Sequence, residues 1–168
     1  MKRGFTLIEL LIYVGIFSLA AGLFTGILVV VLRIQGQQTS AVEVGTQLNF
    51  VMQTLQRLVR ESTAINSPAS GGSANALSVN RPGASPTIAA LSEGKITVNE
   101  GGAGAKDLTT SKVNVSELIF THYTTPSNHP SFPPEETIQI KITMNFNTNN
   151  PTQAVTRILQ SSASPLNP

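Results

Sequence analysis

Residues 2–33 read KRGFTLIELLIYVGIFSLAAGLFTGILVVVLR, and this stretch decides what kind of chain it belongs to. From position 5 to position 32 nearly every residue is apolar, small or hydroxylic, and Glu9 is the single charge. About 28 such residues make a helix of roughly 42 Å, more than the ~20 residues a bilayer demands. An ionisable side chain in a membrane-spanning stretch is costly and marks function by default. Glu9 stands about four residues inside the apolar edge, so whatever needs it acts near one end of the span. Lys2 and Arg3 precede the run, and Arg33 is the first charge after it. Positive charge prefers the cytoplasmic side, so the N-terminus is expected inside and the bulk of the chain outside.

A cleaved secretory signal fits poorly, because its apolar core is only ~7–15 residues long and ends at a small-residue site. Leu19-Ala20-Ala21 matches that site weakly, and the hydrophobicity continues to Leu32. A plain uncleaved anchor accounts for the length and the flanks but gives no reason for Glu9. The run Gly4-Phe5-Thr6-Leu7-Ile8-Glu9-Leu10-Leu11-Ile12 resembles the class III signal of type IV pilins and type II secretion pseudopilins. The resemblance implies a cut between Gly4 and Phe5 by a membrane aspartic protease, the prepilin peptidase, followed by N-methylation of Phe5. It implies that Lys2 and Arg3 hold the leader in the cytoplasm. It also implies that Glu9 meets the N-terminal amine of a neighbouring subunit during assembly. An unpaired carboxylate in hydrocarbon costs several kcal/mol, and a buried ammonium partner offsets that cost while fixing register.

Ser18, Gly22 and Gly26 recur every four residues on one helical face, a spacing that lets helices approach closely in lipid. Glycine is also simply common in membrane helices. Many relatives carry a proline in this segment, whereas this chain has none before Pro68.

Beyond Arg33 the pattern becomes amphipathic. Leu48, Val51, Met52, Leu55, Leu58 and Val59 fall on one helical face, with Gln47, Asn49, Gln53, Gln56, Arg57 and Arg60 on the other. The polar stretch from 35 to 45, with Gly36 and Gly45, is where a bend is expected. Pro68 and the Ser/Gly run at 70–73 are expected to end the helix near Asn66. One helix over 5–66 would be roughly 90 Å long, far too long for a compact domain of this size.

After Asn75 the period moves toward two, and strands are expected at 76–80, 87–91, 95–99, 113–115, 117–123, 137–147 and 153–159. Ile138, Ile140, Ile142, Met144 and Phe146 alternate with polar residues, the mark of a half-buried antiparallel strand. Residues 147–151 read as its turn, and Gly101-Gly102-Ala103-Gly104 as a hairpin loop or insertion. The fold class is therefore α+β: one long N-terminal helix, its second half covered by an antiparallel sheet, as in pilins. The organisation expected is a leader at 1–4, a membrane or filament-core helix at 5–32, its amphipathic continuation at 33–66, and a β-rich head at 67–168. The stripe from Leu48 to Val59, followed by Arg60-Glu61-Ser62, somewhat resembles the J-type pseudopilins and W-type minor pilins.

Composition narrows the chemistry. Of 168 residues, 11 are Lys or Arg and nine are Asp or Glu, and Lys2 and Arg3 supply the whole excess. No basic cluster with interleaved aromatics appears, so direct nucleic-acid contact is not expected. The chain has no cysteine, which removes disulfides, thiol catalysis and thiolate zinc sites. His122 and His129 are expected at the surface beside a loop, without the partners that catalysis or a metal requires. Glu135-Glu136 and Asp107 lack the spacing of a calcium loop. Asn114-Val115-Ser116 matches a glycosylation triplet that chance readily produces. No hydrolase elbow is present. Neither a metal nor a cofactor is expected, and no enzymatic activity.

The function expected is that of a minor pilin or pseudopilin, a structural subunit of a type IV pilus-like or type II secretion-like filament. Its partners would be the prepilin peptidase, other pilin or pseudopilin subunits, the inner-membrane assembly platform and membrane lipid. A membrane-anchored binding module that never polymerises, an adhesin or a competence component for DNA uptake, is the alternative.

Overall fold

The computed structural model describes residues 6–126 and 134–166. A single helix, α1, runs over Leu7–Arg60, 54 residues and roughly 81 Å at 1.5 Å per residue. The helix passes through 35–45 without a break. Among the described residues nine strands follow: β1 Ala64–Ser67, β2 Ser73–Ala74, β3 Ala76–Asn80, β4 Thr87–Ser92, β5 Lys95–Glu100, β6 Ala105–Asp107, β7 Val113–Thr125, β8 Glu135–Phe146 and β9 Thr156–Ala163. All pair antiparallel, so the fold is α+β with a long N-terminal helix packed against sheets.

The strands form two sheets where one was expected. One has the order β1-β3-β4-β5-β6 and the other β2-β7-β8-β9. The expected helical stripe is the floor of the core. Leu48, Val51, Met52, Leu55, Leu58 and Val59 are all buried, and Val44 and Ser40 extend the covered face two turns toward the N-terminus. Ile138, Ile140, Ile142 and Met144 of β8 meet it, and β7 joins through Phe120 opposite Ile140 and Leu118 opposite Ile142. Leu77, Val79, Ala89, Ile96 and Val98 bring the first sheet into the same cluster.

The helix stops at Arg60, six residues before the expected end, and the reason lies in its last turn. The Ser62 hydroxyl donates to the Val59 carbonyl at 2.6 Å, taking an acceptor that a further turn would need. Thr63 N–H then donates to the Asn80 carbonyl at 2.8 Å, which starts the β1–β3 ladder. Residues 64–67 are strand, and proline does not set the boundary. The two strands expected at 113–115 and 117–123 are one strand, β7, interrupted by a bulge between Val115 and Glu117 that leaves Ser116 as the extra residue. The strand expected at 153–159 starts and ends later, as β9, because a short 3-10 turn occupies Pro151–Gln153.

Gly36 serves the docking of that turn: a Cβ built there would stand 2.9 Å from Gln153 Nε2. The β4–β5 connection is a two-residue turn with positive φ at both Glu93 (50°) and Gly94 (74°), the conformation that suits a twisted hairpin.

Candidate functional site: the capped first turn and the bare half of the helix

Of the residues the sequence singles out, Lys2, Arg3, Gly4 and Phe5 lie outside the described residues, as does His129. Thr6 begins the site. It is the N-cap of α1, with extended φ/ψ of −81°/147°. Its hydroxyl accepts from Glu9 N–H at 3.4 Å, and Glu9 Oε2 accepts from Thr6 N–H at 3.4 Å and from the Thr6 hydroxyl at 3.3 Å. This is a capping box, with threonine and glutamate three residues apart satisfying two helix-end donors reciprocally. The carboxylate also faces the positive end of the helix dipole. The signal was in the sequence as Thr6-x-x-Glu9, a pattern that reading Glu9 as a membrane charge and an assembly residue passed over.

From Leu7 to Ile34 the large apolar side chains are exposed: Leu7 is 79% accessible, Phe17 75% and Phe24 79%. This segment is long and apolar enough to cross a membrane, and none of its most apolar window is buried. Its serine and threonine hydroxyls are satisfied by its own backbone. Ser18 Oγ donates to the Val14 carbonyl at 2.8 Å and Thr25 Oγ1 to the Ala21 carbonyl at 2.9 Å, the arrangement a helix in hydrocarbon requires. Nothing beyond the surrounding backbone of the helix itself comes within 4 Å of where a Cβ would stand on Gly22 or Gly26, so that face of the helix is open to a close neighbour.

Elsewhere the head is tied by charge. Arg81 joins the helix C-cap Glu61 and the end of β5, reaching Glu100 at 2.8 Å. Partial burial pulls the Arg81 pKa down, and the hydrogen bonds to Glu100 and Glu61 outweigh it, leaving the pKa raised. Sequence patterns carry no trace of this triad, because its members come from three separate elements.

His122 corrects an expectation: it is buried, at 3% accessibility, rather than at the surface. Leu118, Phe120 and His122 alternate on the inward face of β7, and that period of two was the available signal. Its Nδ1 lies 3.0 Å from the Pro68 carbonyl oxygen, and Nε2 is 3.9 Å from Glu136 Oε1. Among the described residues no three of His, Cys, Asp and Glu converge in a way that could hold a metal ion.

Asn114, the residue of the glycosylation triplet, lies across the β4–β5 turn. Its Oδ1 would clash with a Cβ at Gly94.

No curated protein and no solved structure matches the chain. The family model of the prokaryotic N-terminal methylation motif does match, over residues 1–25. The matched span takes in the capped first turn and most of the bare apolar stretch, so the chain carries a prokaryotic N-terminal methylation motif at the head of its membrane-length helix.

Proposed function

We propose that this protein is a minor pilin or pseudopilin, a structural subunit of a type IV pilus-like or type II secretion-like filament. One observation carries the reading. The methylation motif sits on a helix whose first half leaves its apolar side chains exposed, while the second half is the floor of a complete core. A helix apolar all round must find lipid or other helices, and a filament supplies both in succession.

In this reading the prepilin peptidase cuts between Gly4 and Phe5, and Phe5 is methylated. The peptide bond to Thr6 survives the cut, so the Thr6–Glu9 capping box persists in the mature subunit. It lowers the cost of holding a carboxylate in the bilayer until the Phe5 amine of a neighbouring subunit reaches it. Ser18, Gly22 and Gly26 form the surface against which that neighbour packs. The N-terminus lies on the cytoplasmic side, and the head stands outside.

The mass of the protein isolated from its host tests the reading. The expected species begins at Phe5 and carries one added methyl group, and it reverts to the Met1 form when the peptidase is deleted. A chain that keeps Met1 in the presence of an active peptidase sinks the proposal. Glu9→Ala is expected to leave membrane insertion intact and to abolish the ladder of crosslinked oligomers. A processed chain with no ladder in the wild type favours the non-polymerising anchored module instead.

A further inference from the structure

A groove runs along the exposed side of α1 beneath the β5–β6 hairpin. Its deeper end is a cavity of about 140 Å³, close to the ~150 Å³ that admits a benzene ring. Leu58, Val98 and Leu108 line its apolar base. Arg57 stands on the helix wall and Lys106 on the strand wall. Neither cation has an acidic partner among the described residues. The one acid lining the cavity, Glu100, is held by Arg81. A shallower cavity continues past Thr54 and Gln53 to Phe50, which is 52% exposed.

Two unmatched cations on facing walls above an apolar base make a receptor for a carboxylate borne on an apolar stem. Complementary charge at an interface selects partners and register, and a large exposed aromatic beside it is a usual anchor. Nucleic acid fits less well, since two cations are too few to follow a phosphate backbone.

We propose that this groove receives an acidic side chain from the head of a neighbouring subunit. The proposal rests on the filament reading above and deepens it. It assigns Arg57 and Lys106 to partner selection and Leu58, Val98, Leu108 and Phe50 to the apolar contact.

Because the chain has no cysteine, Gln53→Cys in the full-length protein gives a single attachment point at the groove. Labelled with a maleimide photocrosslinker in cells that make the whole filament system, it is expected to form a discrete adduct. Mass spectrometry should place the attachment next to an Asp or Glu of another protein that carries the N-terminal methylation motif. Arg57→Glu combined with Lys106→Glu should cut the adduct roughly tenfold or more, because like charges across an interface cost several times the tenfold increment. Arg57→Lys should preserve it. Unchanged head melting in the double variant separates lost recognition from lost folding. An adduct indifferent to the charge reversal overturns the proposal. So does an attachment site without an acid, or no protein adduct at all while Phe5 processing and Glu9-dependent oligomers persist. Loss of processing and oligomers in the wild type would overturn the filament reading itself, and this proposal with it.

Discussion

Leu23 and Leu55 lie on the same helix, yet the first is 72% exposed and the second is fully buried. Nothing in the local backbone distinguishes them, because one unbroken helical segment carries both. Their difference is one of solvent. The half around Leu55 meets β7, β8 and β9, and its polar face is rich in Gln, Asn and Arg. The half around Leu23 has no polar face, and hydroxyls such as Ser18 and Thr25 bond to their own helix. A single secondary-structure element can thus belong to two folding problems, one solved within the chain and the other outside it.

The comparison breaks most sharply on a pair of leucine truncations. Leu55→Ala should destabilise the head by about 2–5 kcal/mol, since it removes buried methyl groups and leaves a cavity. Leu23→Ala should leave the head's denaturant midpoint where it is. Chemical unfolding in detergent, followed by a probe in the β-sheets, checks both. An equal loss from Leu23→Ala would show that the two halves are not independent.

A smaller effect is expected at the β4–β5 turn, which lies wholly within the self-contained region. Gly94→Ala meets a φ of 74° and also crowds Asn114 Oδ1, so backbone strain is joined by a contact that the Asn114 side chain must move to relieve. A loss of about 1–3 kcal/mol follows, with membrane association unchanged. Thermal melting of the variant beside the parent measures it. Gly36→Ala at the helix should be milder, because the facing atom is the end of a flexible Gln153 side chain.

The smallest effect is electrostatic and belongs to the outer face of the second sheet. Lys141 Nζ at 2.8 Å, and next the Thr143 hydroxyl at 3.0 Å, hold the Glu117 carboxyl below its ordinary range. A folded-state pKa below the unfolded one gives stability that is complete above the unfolded value, about 4.3. It is lost as pH falls through the folded value. The stability difference between the parent and Glu117→Gln should therefore shrink as the pH is lowered through and below the ordinary carboxylate range. A difference that grows on acidification would contradict the assignment. The pair is solvent-exposed, so raised salt should also diminish the effect.

Much of this was readable in the amino-acid order. The stripe Leu48 to Val59 and the alternation Ile138 to Met144 define the two faces that meet, and both lie where their periods put them. Short-range chemistry was readable as well, though easily overlooked: Thr6-x-x-Glu9 spells a capping box, and Leu118-x-Phe120-x-His122 turns the histidine inward. What the order does not carry is pairing between distant segments. The division into two sheets rests on pairings such as β2 with β7, which are far apart in sequence. The short strands β1, β2 and β6 have too few residues to show any period. The groove at Arg57 and Lys106 is lined from both α1 and the β5–β6 hairpin, and those residues are far apart in sequence.

The last turn of α1 is gripped from two directions. Arg81 holds Glu61 on one side, and on the other the N–H of Leu166, beyond β9, donates to the Arg60 carbonyl at 3.0 Å. A pull on the bare half of the helix would put tension along the helix axis. That load would enter the head as shear spread across the buried stripe, and the double grip would keep the far end from peeling first. In the filament reading proposed above, that double grip would hold the head together while the helix is drawn.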